Sequence, residues 1–295
     1  MPNKITAKKT REIIRRHHPM LADRFRTPLL IKAIQKTVRP GDVVLDLGCG
    51  AGVLSLAAVE AGVKKVYACD IDESIRVAKN EAQKRGIRNI EFRQALSFDL
   101  KLPERVDVIV AETVGSLGLD ENIVPSVYDA RRRFLKEGGK IIPGRVRIFL
   151  APVGTSNSPQ PPLKLRGGEG GVMSAPFTTT KIKPSELLAN PAIYWKIDFQ
   201  TIHALGFDRE LAFRARRDGA LRGFAGWFEA EWAPGIVTNT APGRPLTHWK
   251  QTFLPISKPI RVGKGDPIVF RLRIYPKGGP CSTESAIEWG YQTKG

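Results

Sequence analysis

The sequence predicts an α/β protein built on a doubly wound, mostly parallel sheet, followed by a β-barrel or sandwich. Three observations carry this reading. A run of apolar residues, Val43-Val44-Leu45, leads into Asp46 and a glycine-rich turn at Gly48, Gly50 and Gly52, with the helix-like stretch VLSLAAVEAG behind it. A buried strand entering a tight turn and a helix N-terminus has this pattern. From residue 43 to about 153, strand-like and helix-like runs then alternate, as they do where helices cover both faces of a parallel sheet. Past about Val153 the pattern changes to short alternating or aromatic-rich runs between Gly and Pro turns, which fits an all-β unit.

In chain order, the N-terminal run MPNKITAKKTREIIRRHH is basic and lacks the apolar centre of a signal peptide. Ile13 and Ile14 within it suggest a helix laid on the body with its charges solvated. Residues 20 to 38 carry apolar side chains at helical spacing (Leu30, Ile34, Val38), with Pro28 breaking one helix or starting another. VVLDLGC, KVYACDID, IEFRQA and VDVIVAE read as strands, with SIRVAKNEAQKRG and VPSVYDARRRFL as helices between or after them, and KIIPGRVRIFLAPV as one further run. Three units follow: an N-terminal helical segment over 1–38, a cofactor-binding sheet domain over 39–142 and a β-rich substrate domain over 143–295. A flexible insert is expected at about 154–176, where Pro, Gly and Ser dominate and little is apolar. Within the last unit, YWKIDFQTI, LAFRARR, GFAGWFEAEW, KQTFLPI and IVFRLRIYP read as strands.

At 295 residues the chain is long enough for two domains with a sizeable core. Lys and Arg number 47 against 29 Asp and Glu, a formal charge of +18, which suits a basic surface or acidic partners such as RNA or ribosomal particles. The three cysteines, Cys49, Cys69 and Cys281, imply no disulfide framework and point to a reducing cytoplasm. No window reaches the apolar length of a membrane span. The four histidines show no ligand spacing with acids or cysteines, so no metal site is expected.

The chemistry starts at the glycine turn. It lacks the Gly-Lys-Ser/Thr of a phosphate-binding loop and the GxGxxG spacing of a dinucleotide fingerprint. Instead Asp46 precedes the glycines and Asp70 ends the next strand, where a carboxylate can take ribose hydroxyls. DLGCGAG followed by such an acid resembles the class I S-adenosylmethionine (SAM)-dependent methyltransferases. After VDVIV come Glu112 and, nine residues on, Glu121. Two carboxylates beside a cofactor crevice form a costly like-charge pair unless a cation lies between them. A planar guanidinium, always charged and bound by carboxylates in a two-pronged fashion, suits the place best.

With these residues in view the chain resembles the protein arginine methyltransferase family, which pairs a SAM-binding sheet domain with a C-terminal β-barrel. Glu112 and Glu121 match the spacing of the family's double-E hairpin. His17-His18-Pro19-Met20-Leu21-Ala22-Asp23-Arg24-Phe25-Arg26-Thr27 is similar to its His-x-x-Met-Leu-x-Asp-x-x-Arg-Thr segment, and Thr247-His248-Trp249 to its Thr-His-Trp loop. The resemblance implies that Arg26 binds the methionine carboxylate of SAM, that His17 and Met20 approach the cofactor, and that Asp46, Gly48 and Gly50 line its methionine part. Asp70 would hold the ribose, and Ser97 falls where the family carries an adenine-facing acid. Glu112 and Glu121 would clamp the substrate guanidinium, and His248 with Asp23 as its partner would organise the site and accept the released proton.

The chain also departs from the family pattern. Ala7, Lys8 and Arg11 stand where the family has the aromatic Tyr-Phe-x-x-Tyr segment, and Thr113-Val114-Gly115-Ser116 replaces Trp-Met-Gly-Tyr in the hairpin. PPLKLRGGEGG offers no amphipathic helix where the family has its dimerisation arm, so the arm-mediated dimer is not expected. The expected activity is SAM-dependent N-methylation of arginine side chains in a protein or peptide. The alternatives are a methyltransferase for a ribosomal protein or another amine or guanidino substrate, or a catalytically silent SAM-binding interaction module.

Overall fold

A computed structural model describes residues 7–154, 177–282 and 284–293. The insert expected at about 154–176, and with it the position of the family's dimerisation arm, lies outside the described residues apart from Gly154. The basic N-terminal run forms α1 (Ala7–Leu21), which buries Ile13 and leaves Ile14 45% exposed. In α2 (Arg26–Thr37), Pro28 sits in the first turn, where no intrahelical N–H is needed, and Leu30, Ala33 and Ile34 point inward at helical spacing.

Strand β1 (Val43–Leu47) is buried throughout, as its unbroken apolar run requires, with Asp46 as its one polar residue. It is followed by α3 (Val53–Glu60), β2 (Lys65–Asp70), α4 (Ser74–Lys84), β3 (Ile90–Gln94), β4 (Val106–Ala111), α5 (Ile123–Phe134) and β5 (Leu135–Ile142). All four strand pairings are parallel, in the order β3-β2-β1-β4-β5. The chain therefore winds outward from β1 to β3 and returns to the other side of β1 at β4. Ligands of such sheets bind where this reversal leaves a crevice, at the carboxyl ends of the two central strands. Here Leu47 lies in register with Ala111, so the glycine turn after β1 and Glu112 after β4 begin side by side.

KIIPGRVRIFLAPV, expected as one run, divides at Pro143 and Gly144. Pro143 has no N–H for a strand ladder, and the halves join different sheets: β5 the parallel one, β6 (Arg145–Val153) an antiparallel one. The latter contains β7 (Thr178–Thr180), β8 (Ala192–Asp198), β10 (Gly219–Ala233), β11 (Ile236–Asn239) and β12 (Gln251–Val262) beside β6. A third sheet has the order β14-β13-β9, from β9 (Phe207–Arg214), β13 (Pro267–Pro276) and β14 (Ser285–Thr293). The sequence reading did not foresee β7, β11 and β14. The two antiparallel sheets meet through aromatic residues, Phe224 of β10 stacking on Phe270 of β13 with centroids 3.8 Å apart. Trp289 of β14 donates to the Pro255 carbonyl of β12 at 3.0 Å.

One apolar core runs from Leu30 and Ile34 through β1 and β4 to Ile148, Phe228 and Trp249 and on to Trp289. Among the described residues no helix is long and apolar enough to cross a membrane.

Candidate active site

The glycine turn builds the floor of the site. Gly48, Gly50 and Gly52 take left-handed φ values of +72°, +51° and +83°, which L-residues other than glycine adopt at a cost. Space is also short: a Cβ on Gly48 would stand 2.6 Å from Thr113 Cγ2, and one on Gly52 2.6 Å from Ala78 Cβ. Asp70, at the end of β2, accepts the Gly50 N–H at 2.7 Å on one oxygen and the Asp72 N–H at 2.8 Å on the other. Above this floor opens a cavity of about 630 Å³ whose wall includes His17, Met20, Arg26, Asp70, Ser97, Glu112 and Glu121.

The opposite wall is the hairpin from Glu112 to Asn122. Gly115, at φ +65°, leaves room for the Asp120 carboxyl group, which a Cβ there would overlap. Asp120 in turn accepts the N–H groups of Ser116 at 3.0 Å and Leu117 at 2.8 Å and the Ser116 hydroxyl at 3.1 Å, closing the hairpin on itself. Glu112 keeps 9% of its side chain exposed and forms an ion pair with Arg26, also 9% exposed. Glu121 is solvent-exposed and opens onto the cavity, with Asp120 and the rest of the hairpin close around its carboxyl group. The protein around the carboxyl group, with the Asp120 charge adding to its effect, pushes it up to about 7, against the pull of the Arg26 charge.

Arg26 opens α2, and its guanidinium lies over the Trp249 ring, 5.7 Å from the centroid. Burial draws it down to about 10, against the fields of Asp23 and Glu121, so it stays charged at neutral pH. Asp23 ties this helix start to the loop before β12: one oxygen accepts the N–H groups of Phe25 and Arg26 at 2.9 Å, and the other accepts the His248 N–H at 2.7 Å. The same oxygen lies 3.3 Å from His248 Nδ1. Burial, joined by the Arg26 charge, pulls His248 down to about 4, so its imidazole is neutral at physiological pH. His17 places Nδ1 2.9 Å from the Ile13 carbonyl, which makes that nitrogen the donor, and turns Nε2 toward the glycine turn.

A model described as ribosomal protein L11 methyltransferase (PrmA) matches residues 25–144, and one described as the arginine methyltransferase oligomerization subdomain matches residues 170–294. The chain is 29% identical over 280 residues to an arginine N(omega)-methyltransferase of Streptomyces achromogenes subsp. streptozoticus, covering 89% of this chain and 76% of that protein. It is 30% identical over 281 residues to protein arginine N-methyltransferase 2 of Xenopus tropicalis, covering 85% of this chain and 64% of the relative. The chain is similar to arginine methyltransferases along most of its length. The fold agrees: a Trypanosoma brucei PRMT1 enzyme-prozyme heterotetrameric complex with AdoHcy superposes with a TM-score of 0.80 at 24% identity, over 96% of this chain and 94% of that one.

The family is one of SAM-dependent methyltransferases, and the site's residues fit that cofactor. The cavity pairs a floor of backbone N–H groups with the Asp70 carboxylate at one edge and a guanidinium, Arg26, at the other. Arg26 Nε is buried without a hydrogen-bond partner, a donor left for a ligand carboxylate. Three residues expected in the site stand elsewhere. Asp46 is 1% exposed and lies beneath the glycine turn, bonded by the Ser55 hydroxyl at 2.6 Å, because a side chain in the middle of a buried strand points to the sheet's covered face. Asp23 and His248 form the joint behind Arg26 rather than the cavity wall, since Asp23 is taken up by backbone N–H groups. Burial and the neighbouring Arg26 charge leave the His248 imidazole neutral, with Asp23 against its Nδ1.

The reading from sequence missed Asn122 and Ser126 in the wall, and Glu284 and Ser285, which reach it from the start of β14. Asn122 was legible only as the neighbour of Glu121. Nothing local marks Ser285, which meets Asn122 across 163 residues of chain.

Proposed function

We propose that this protein transfers a methyl group from SAM to a guanidino nitrogen of arginine side chains in a protein or peptide. The observation that carries this is the convergence of Glu112 and Glu121 on one cavity wall beside the glycine turn and Asp70. When bound, SAM supplies a methyl group on a positively charged sulfur, an electrophile that needs only a correctly placed nitrogen. Gly48, Gly50 and Asp70 would hold its polar groups, Ser97 would lie at the far end of the cavity, and His17 and Met20 would cover it from α1. Arg26 would meet its carboxylate through the free Nε.

Glu112 and Glu121 would take the substrate guanidinium between them. Glu112, already engaged with Arg26, would fix one edge of the cation by accepting its N–H groups. Glu121 would concentrate positive charge on the nitrogens it faces and leave the remaining one free to attack. A guanidinium that gains a methyl must lose a proton to return to a single positive charge. Glu121, near 7, is the carboxylate in the cavity suited to hold it. Asp23 and His248 would serve by keeping Arg26 and α2 in register with the loop that carries Trp249.

The net charge of +18 supports targets in a negatively charged setting, such as a ribosomal or RNA-associated protein. The unpaired Cys49, Cys69 and Cys281 support a reducing, cytoplasmic one. A second reading, free arginine as substrate, is favoured by the bacterial relative, which is named for arginine alone. The test is transfer of labelled methyl from SAM to arginine-containing peptides and to free L-arginine, wild type beside Glu112→Gln, with mass spectrometry of the product. Methylarginine in peptide that disappears in the variant is expected. Label on free arginine alone favours the second reading, and SAM binding without any transfer overturns both.

A further inference from the structure

Glu121 is aimed by its neighbours and not held itself. Its carboxylate makes no hydrogen bond or ion pair with any described residue, so its direction depends on the backbone at Asp120 and Asn122. Asp120 is fixed within its own hairpin by the Ser116 and Leu117 donors. Asn122 is fixed from outside it. Its φ of +55° places it in the left-handed region, which Asn tolerates better than most residues, and it is 4% exposed. Both ends of its amide are used by the β13–β14 hairpin. Asn122 Nδ2 donates to the Ser282 carbonyl at 2.9 Å, and Asn122 Oδ1 accepts the Ser285 hydroxyl at 2.6 Å. Because a carbonyl accepts and cannot donate, the Ser282 contact fixes which way the amide is turned. The Ser285 oxygen also lies 3.1 Å from the Leu119 carbonyl, so it reaches both sides of the dipeptide Asp120-Glu121.

We propose that the last β-hairpin acts as a positioning element for Glu121, with Ser285 and the Ser282 carbonyl holding Asn122 so that the carboxylate beside it points into the cavity. The proposal rests on the reading of Glu112 and Glu121 as the guanidinium clamp. It adds that the geometry of the clamp is set by the end of the chain, 163 residues beyond Asn122 at Ser285. Both serines are bonded to Asn122. Their contribution is a direction, which matters because displacing a catalytic group by about an ångström costs on the order of a hundredfold in rate.

The test compares Ser285→Ala, Ser285→Thr, Asn122→Gly and Glu121→Gln with wild type in the peptide methylation assay, together with SAM affinity by calorimetry. Asn122→Gly keeps the left-handed backbone and removes only the amide, and Ser285→Thr keeps the hydroxyl. Ser285→Ala and Asn122→Gly should lower kcat roughly ten- to a hundredfold while the SAM dissociation constant stays within about twofold, and Ser285→Thr should recover most of the loss. A kcat within about twofold of wild type in both disrupting variants overturns the proposal, as does a loss that SAM affinity shares by the same factor, which would mark a merely structural role. Wild-type activity in Glu121→Gln would instead bring down the clamp reading. An inactive Glu121→Gln beside a fully active Ser285→Ala refutes the hairpin's role alone.

Discussion

The Asp46→Asn substitution should stabilise this protein more at high pH than at low pH. Asp46 is 1% exposed, one of its oxygens has no hydrogen-bond partner, and burial, only partly offset by the Ser55 hydroxyl, raises its carboxyl from 3.8 to about 6. A shift of about two units is worth about 3 kcal/mol. The sign follows from proton linkage: a carboxyl group with a raised pKa binds protons more tightly in the folded than in the unfolded chain, so stability falls as pH rises. The loss begins near the unfolded value, grows through the interval up to about 6 and is complete above it. The amide introduced by Asp46→Asn carries no charge and removes this dependence, while its oxygen can still accept from Ser55. Its NH2 group buries an unpaired donor at a cost of about 1–3 kcal/mol, but that cost is independent of pH. It therefore cancels when the variant's stability relative to wild type is compared at two pH values. Urea unfolding of both proteins should show that difference shifting in the variant's favour by about 2 kcal/mol from about pH 4.5 to about pH 8. A difference that stays constant across that range would mean that Asp46 is not a destabilised buried carboxylate.

Glu121 leads to a pH dependence of the opposite kind, in activity rather than stability. A clamp for a cation must be ionised, so kcat/KM for an arginine peptide should fall as pH drops through about 7, and Glu121→Gln should remove that limb along with most of the activity. A profile flat between about pH 6 and about pH 8 in the wild type would refute it. Gly115→Ala adds a Cβ at φ +65° against the Asp120 carboxyl group. It should cost roughly 2–4 kcal/mol from left-handed strain and weakened hydrogen bonds to Asp120, read as a lower thermal midpoint, with methyl transfer reduced as well.

The parts of the site that could be read from the sequence are those set by short-range geometry. A buried strand that ends in Gly48, Gly50 and Gly52 must turn there, and Asp70 and Glu112 follow the next strands at their carboxyl ends. The parallel order of the sheet then brings these ends together wherever else the chain goes. The helix with Leu30 and Ile34 inward and the strands β8, β9, β10, β12 and β13 were legible for the same reason, since their apolar spacing is local. The direction Asp46 faces was not legible, because a strand residue beside a ligand turn can face either the crevice or the covered side of the sheet, and sequence carries no sign of which. The low proton affinity of His248 was not legible either, because it comes from burial and from the charge of Arg26, a residue far away in the chain that the fold brings close.

Tertiary structure alone decided how the acidic hairpin is held. A Cβ on Gly226 of β10 would occupy the place of Leu117, so that glycine lets the hairpin settle on the antiparallel sheet. Thr252 of β12 donates to Ser116 at 3.0 Å, and Ser285 of β14 closes the far end on Asn122. The sequence by itself determined the parallel sheet and the glycine turn, because each depends on residues close together in the chain. The direction in which Glu121 points depends on side chains far along the chain, Ser285 lying 163 residues beyond Asn122. Such contacts become visible only after the two kinds of sheet have packed against each other.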